Sequence, residues 1–392
     1  AQQNKEVLAC RLACKLLKAR EQFPFLDELQ IGIATGHAYC GDMGSPTRKG
    51  YSALGEVVNM AARLMTHGGR QDGVHLCANT QARSQQGGFA TEFVEDAKLK
   101  GVSRSVPVYR LLGETRRSLF IKGRGDIIGR SRELNVLHES LTASFAGQGR
   151  VSVVSGEAGI GKSRLGARVL EDAEEGGARA LYGVCYSYEA FTPFFPWKEV
   201  LLQAFGLHDS DDTEAQLARL RQGLEGLEDV GPEWIPVVAG ILGMSLEETS
   251  ATAGMDARRK QQKVFQLVFQ LLEKLSRAQP LLLFFEDLHW ADYISLDLLQ
   301  YLAVRVGSHR IMVLATMRPG DQLRGMRDLP EFVPVDLSSL DDEDTRALLR
   351  VHLRLTPPDV ALEDRLLAKV QGNPFFIESI VEGLAEQGYL GL

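Results

Sequence analysis

"RVSVVSGEAGIGKSRLGARVLEDA", residues 150–173, decides the fold of the larger part of this sequence. A short valine-rich run leads into a glycine-rich segment, and an amphipathic helical pattern follows without a break. Within it, GEAGIGKS (156–163) satisfies G-x-x-x-x-G-K-[ST] in full. Gly156, Gly159 and Gly161 let backbone N–H groups turn inward on phosphate oxygens. Lys162 supplies a compact cation for the β- and γ-phosphates, and the Ser163 hydroxyl a ligand for Mg²⁺. The helix starting there adds the positive end of its dipole. The stretch predicts a nucleotide site.

A phosphate loop needs an acidic strand end to hold the magnesium. LLLFFEDLHWAD (281–292) supplies one, five apolar residues followed by Glu286 and Asp287. The order Glu-Asp departs from the Asp-Glu of many ATPases, so which carboxylate meets Mg²⁺ and which polarises water stays open. Arg318 follows the buried-strand pattern IMVLATM (311–317), where it either senses the γ-phosphate or is a plain surface arginine. GNPFF (372–376) breaks a helical pattern. Strands alternating with helices predict a parallel, doubly wound sheet with a helical extension, residues after IMVLATM being read as helical.

Ahead of this region lies a smaller α/β pattern. Residues 5–20 read as a helix with Val7, Leu8, Leu12, Leu16 and Leu17 near one stripe. LQIGIATGHAYCGDMG (29–44) alternates into a glycine-punctuated hairpin. YSALGEVVNMAARLM (51–65) reads as strand, turn and helix, with Asn59 and Arg63 one turn apart on one face. Val58, Ala62 and Met65 are expected to anchor that helix. GVHLCANT, FATEFVEDAKLKG and VPVYRLL complete the strands. GETRRSLFIKGRGD (113–126) is polar and Gly-rich, a linker pattern. The expected domains are 1–113 and 127–392, with 114–126 between them.

Composition narrows the function classes. A net charge of −7 argues against affinity built on phosphate neutralisation of a nucleic acid. No stretch approaches the ~20 apolar residues of a membrane span. Five scattered cysteines without a C-x-x-C pair predict reduced thiols and a cytoplasmic protein. The sequence opens on Ala1, not Met, and stops at Leu392 just after a helical pattern, so a piece of a longer chain is expected.

Two resemblances follow from these motifs. With IIGRSREL (127–134), EDLHWAD and GNPFF added to the phosphate loop, residues 127–392 resemble the signal-transduction ATPases with numerous domains, a branch of the AAA-related P-loop proteins. The resemblance implies that Gly129 and Arg130 flank the base, that Pro374 packs near it, and that ATP or ADP occupancy sets an open or closed arrangement. IGIATGHAYCGDMGS, YSALGEVVNMAARLM and KLKG together resemble the class III nucleotidyl cyclase catalytic domain, which has a ferredoxin-like α/β fold and is represented here in part. The ribose 3′-oxygen there attacks the α-phosphorus of ATP and releases pyrophosphate. The resemblance assigns Asn59 to the ribose, Arg63 to the charge developing on the α-phosphate, Lys100 to the terminal phosphates, and Ser52 to the base. Ser52 suits adenine without excluding guanine.

The metal-binding aspartates of that family lie upstream of the matching segments. The expectation is a second cyclase domain, in the same chain or a homodimer, that supplies them with Mg²⁺ or Mn²⁺ bound. The combination is similar to the soluble adenylyl cyclases. The alternative is a STAND-type ATPase switch or scaffold whose cyclase-like domain is degenerate.

Overall fold

The computed structural model describes residues 5–20, 23, 25–26, 28–45, 48–67, 73–86, 89–97, 105–114, 127–187, 189–207, 213–320, 322–353 and 360–386. They fall into two compact units, Ala1–Gly125 and Asp126–Leu392.

The first unit runs α1 (Lys5–Arg20), β1 (Gln30–Ile33), β2 (Tyr39–Ser45), β3 (Arg48–Leu54), α2 (Glu56–His67), β4 (Gly73–Cys77), α3 (Ala78–Gln86), β5 (Phe89–Ala97) and β6 (Val106–Glu114). Four strands form one sheet in the order β1-β4-β6-β5, in which β1 and β4 are parallel and the other pairs antiparallel. The hairpin is β2–β3, separate from that sheet, with Tyr39 opposite Leu54 and Ser45 opposite Arg48. Residues 51–54 are therefore its second arm, and the hairpin sits later than the glycine punctuation of 29–44 suggested.

Helix α2 lies on β1 because Gly32 lets it come close. A β-carbon at Gly32 would stand 2.0 Å from the Ala61 carbonyl oxygen and 2.6 Å from the Met65 nitrogen. Leu64 is fully buried and Met60 packs beside it, whereas Ala62 and Met65 are exposed. Of the expected anchor, Ala62 and Met65 are corrected, while Val58 is half-buried. The inward stripe is Val57, Met60, Ala61 and Leu64, at i, i+3, i+4 and i+7, and Val57 also packs where a Gly36 β-carbon would be.

The second unit runs α4 (Ser131–Phe145), β7 (Arg150–Ser155), α5 (Lys162–Glu175), β8 (Arg179–Val184), α6 (Phe195–Ala204), α7 (Thr213–Leu224), α8 (Ile235–Leu242), α9 (Ser250–Ala253), α10 (Ala257–Ala278), β9 (Leu281–Glu286), α11 (Tyr293–Ala303), β10 (Ile311–Met317), β11 (Phe332–Asp336), α12 (Asp342–Leu353), α13 (Val360–Val370) and α14 (Pro374–Glu386). Its five strands are all parallel, in the order β11-β7-β10-β9-β8. Val151, Val153, Leu281, Leu283, Phe285, Val313 and Ala315 join the large core with α6, α8, α10 and α11. The alternate residue Phe284 points the other way, reaching Gly166 of α5, where a β-carbon would lie 2.4 Å from its ring. Helices on both faces explain why β9 and β10 are apolar throughout, and the sheet is doubly wound.

Strand β11 was missed in the sequence, where EFVPVDL was taken into the helical remainder. Pro334 disguises it, since proline cannot donate to a ladder. The strand occupies the sheet edge beside β7, with Pro334 opposite Val153. An edge strand leaves one side unpaired, and there proline is tolerated. Beyond it, α12, α13 and α14 enclose their own small core of Leu348, Leu349, Leu353, Leu366, Val370, Ile377 and Val381, with Ile128 packed against it.

Gly32→Ala should lower the stability of the first unit by about 2 kcal/mol or more, because backbone atoms of α2 cannot swing aside. Urea unfolding of the variant tests this, and an unchanged midpoint would contradict the seating of α2.

Candidate functional site

In a parallel sheet every strand ends at the same edge, and loops leaving that edge share a crevice. Ser155 of β7 is level with Met317 of β10, and Ala315 of β10 with Phe285 of β9. The phosphate loop, Arg318 and the Glu286–Asp287 pair therefore leave the sheet side by side. β10 lies between the phosphate-loop strand and the acidic strand, so Arg318 emerges between the cradle and the carboxylates.

The loop itself is shaped by its glycines. Gly161 caps α5 at φ +103°, and Gly159 sits at φ +77°. A β-carbon on Gly159 would also lie 2.4 Å from Cβ of Phe375. Lys162 is buried, and its ammonium donates to the carbonyl oxygens of Gly156 and Glu157, each at 2.8 Å. Burial pulls its pKa below the ordinary lysine value, with nearby Asp287 acting against that and Arg318 adding to it. A desolvated cation of this kind gains most from an anionic ligand. Ser163 is exposed in the first turn of α5.

Two segments far away in sequence close on the loop. The buried Arg130 guanidinium donates to the carbonyls of Ile160 at 3.2 Å and Ser338 at 2.7 Å, and pairs with Glu133 at 3.4 Å. Gly129 (φ +72°) leaves room for Asp344, whose Oδ2 lies 2.3 Å from where a β-carbon would be. On the other flank, the Asn373 amide donates to the Ala158 carbonyl at 3.2 Å, and the Phe375 N–H to Gly159 at 3.3 Å. Asn373 Oδ1 also accepts from the Phe375 N–H at 3.0 Å, satisfying a free donor at the start of α14, and Pro374 takes the first helical position.

Asn373 was passed over in the sequence as a helix breaker. The signal was present in Asn-Pro at a helix start, but which carbonyl the amide would meet is a tertiary fact. Asp287 adopts a left-handed backbone at φ +53°, fixed by its N–H donating to Thr316 Oγ1 at 3.1 Å. That turn directs Glu286 and Asp287 differently from a straight strand end. Ser163, Glu286 and Asp287 offer the hard oxygen donors that Mg²⁺ takes, one or two from protein and the rest from phosphate and water. Among the described residues no group of three or more His, Cys, Asp or Glu is placed to hold a metal alone, which such a site does not need.

In the first unit, Asn59 and Arg63 stand on the stripe of α2 opposite Leu64, Asn59 exposed and Arg63 half-buried. Gly55 starts the helix, its carbonyl accepting from the N–H groups of Val58 and Asn59. Among the described residues none pairs with the Asn59 amide or the Arg63 guanidinium. Ser52 is exposed on β3 opposite Gly41. Lys100 lies outside the described residues. The Cys10 thiol is buried, which pushes its pKa up to about 12 and makes it a poor ligand. Among the described residues no helix is long and apolar enough to cross a membrane.

Comparison with known proteins finds one family match in each unit. Residues 2–113 match the family described as adenylate and guanylate cyclase catalytic domain, and residues 126–314 match AAA ATPase domain. An uncharacterized protein of Rhizobium meliloti (strain 1021) is 27% identical over 377 residues, covering 92% of this chain and 35% of that one. Adenylate cyclase type 10 of Oryctolagus cuniculus is 23% identical over 372 residues, covering 91% of this chain and 22% of that one. The chain thus spans about a third or less of the length of these relatives. A solved signal transduction ATPase with numerous domains from Pyrococcus horikoshii, with a tetratricopeptide repeat sensor, aligns with 66% of this chain and 30% of its own at 20% identity and a TM-score of 0.37, too low to carry more. The chain joins an adenylate and guanylate cyclase catalytic domain, over residues 2–113, to an AAA ATPase domain over residues 126–314.

Proposed function

We propose that this chain is the catalytic-to-regulatory part of an adenylate cyclase that makes cyclic AMP and pyrophosphate from ATP, and that its second unit is an ATP-binding switch. The observation that carries the first half is the outward Asn59–Arg63 stripe, held on a helix whose opposite face is locked to β1 through Gly32. An amide and a guanidinium without partners among the described residues, on a helix seated by backbone contact, are preorganised for a ligand with a ribose and a phosphate. Asn59 orients the ribose so that its 3′-oxygen faces the α-phosphorus. Arg63 stabilises the charge that grows on the α-phosphate as the bond to pyrophosphate breaks. Ser52 accepts from the base, and Lys100 holds the leaving phosphates. Mg²⁺ or Mn²⁺ would activate the 3′-hydroxyl and neutralise pyrophosphate. Its carboxylate ligands come from a second cyclase domain, so the complete site is shared between two domains. The domain limits are 1–113 and 127–392.

The switch reading is supported by the grip on the phosphate loop. Arg130 and the Asn373–Phe375 turn bind carbonyls of the same loop whose N–H groups would hold a phosphate, so nucleotide state and the seating of α14 act on one short segment. In this site Lys162 and the loop N–H groups hold the phosphates, Ser163 with Glu286 or Asp287 holds Mg²⁺, Arg318 reads the γ-phosphate, and Gly129, Arg130 and Pro374 line the base. That same grip also favours a second reading, in which the switch is the whole function and the cyclase unit only docks a partner.

Arg63→Ala separates the two readings. In the full-length protein it should reduce cyclic AMP formation at least about a hundredfold with ATP binding at the P-loop unchanged. Activity equal to wild type would leave only the switch. Lys162→Ala should weaken ATP binding by residues 127–392 at least about tenfold, read by calorimetry. Residues 1–392 alone should make no cyclic AMP, and should gain activity when mixed with a cyclase domain that carries the metal-binding aspartates. Turnover by the unmixed chain would refute the shared site.

A further inference from the structure

Between Asp287 and α11 lies His289, to which neither motif nor resemblance gives a role. Its side chain is only 9% exposed, and neither ring nitrogen has a hydrogen-bond partner among the described residues. A buried imidazole with both nitrogens unpaired by protein groups is costly, and native structures hold one where a ligand, ion or water completes the set. The nearby Asp287 carboxylate does not relieve it, since Oδ1 stands 3.9 Å from Nδ1, beyond hydrogen-bond reach. The ring is braced instead by Trp290, with centroids 5.0 Å apart.

The charged groups around His289 say what it faces. The ring lies 3.9 Å from the Asp287 carboxylate, at the sheet edge from which the phosphate loop and Arg318 also leave. It therefore shares its electrostatic surroundings with the lysine of the phosphate loop, the acidic strand end and the arginine after β10. Those are the three groups that converge where a triphosphate ends. An imidazole there offers at least one N–H donor to a phosphate oxygen.

We propose that His289 hydrogen-bonds the terminal phosphate end of a nucleoside triphosphate in the P-loop site, directly or through one water, and so makes the site discriminate triphosphate from diphosphate. The inference depends on the reading of the second unit as an ATP site. It adds a binding residue on the segment following the acidic strand, which is joined directly to α11. Occupancy of the terminal phosphate position is thereby coupled to the start of that helix, where Asp292 caps Ser295 at 2.9 Å.

The test is calorimetry of the 392-residue chain with Mg²⁺ and either a non-hydrolysable ATP analogue or ADP. Wild type should bind both, and binding of neither would overturn the ATP reading itself. His289→Leu fills the space without polar atoms and should lose about tenfold for the analogue while ADP stays within about twofold. His289→Gln, which restores a donor and an acceptor, should recover most of that loss. Equal losses for the two nucleotides, or none, would overturn the inference while leaving the ATP site intact. Should His289→Leu fail to fold, ¹⁵N-imidazole spectra of wild type serve, the His289 signals shifting with the analogue and not with ADP. Identical spectra with both nucleotides would contradict the proposal.

Discussion

The Phe375 N–H reaching the Gly159 carbonyl, and the Asn373 amide reaching that of Ala158, are the contacts on which the second unit depends. They bring a turn more than two hundred residues away against the phosphate loop, and they need Gly159. With any side chain at that position Phe375 would be displaced. Each hydrogen bond is worth about 1 kcal/mol net, so the grip holds without being irreversible. That magnitude suits a switch, because charge-assisted bonds from Lys162 and the loop N–H groups to a phosphate would each be stronger than these contacts. Arg130 makes the opposite jaw, joining Ile160 to Ser338 just past the edge strand. The loop is thus held between the entry segment and the C-terminal helices, which have a core of their own.

The first unit depends on a different economy of space. Among the described side chains of α2 only Leu64 is fully buried and large, and Val57, Met60 and the backbone against Gly32 complete its seating. That close approach frees the outward stripe for Asn59 and Arg63. Rigid placement matters for both, since an arginine that must be ordered by its ligand spends binding energy on its own entropy.

Much of this was legible before any coordinates. The strand, phosphate loop and helix of 150–173, the acidic end of β9, and the start of α4 at Ser131 each follow from patterns with one physical reading. What was misread failed for identifiable reasons. β11 was missed because Pro334 vetoes an interior strand but not an edge one, and position in a sheet is not written in local sequence. Met65 and Ala62 were taken for anchors on hydrophobicity alone, whereas the close contact at Gly32 rotates the helix so that Ala61 and Leu64 face inward. Asn373 and His289 were overlooked because the value of a polar side chain lies in which partner it finds, or lacks, in three dimensions.

Hydrogen–deuterium exchange across residues 372–378 tests the central claim most directly, that nucleotide at the phosphate loop and the seating of α14 are coupled through the loop they share. The Phe375 amide, which donates to Gly159 and to Asn373 Oδ1, should change its protection on adding saturating ATP with Mg²⁺, and differently with ADP. Exchange in that segment that is the same without nucleotide, with ADP and with ATP, while ATP is bound, would contradict the account.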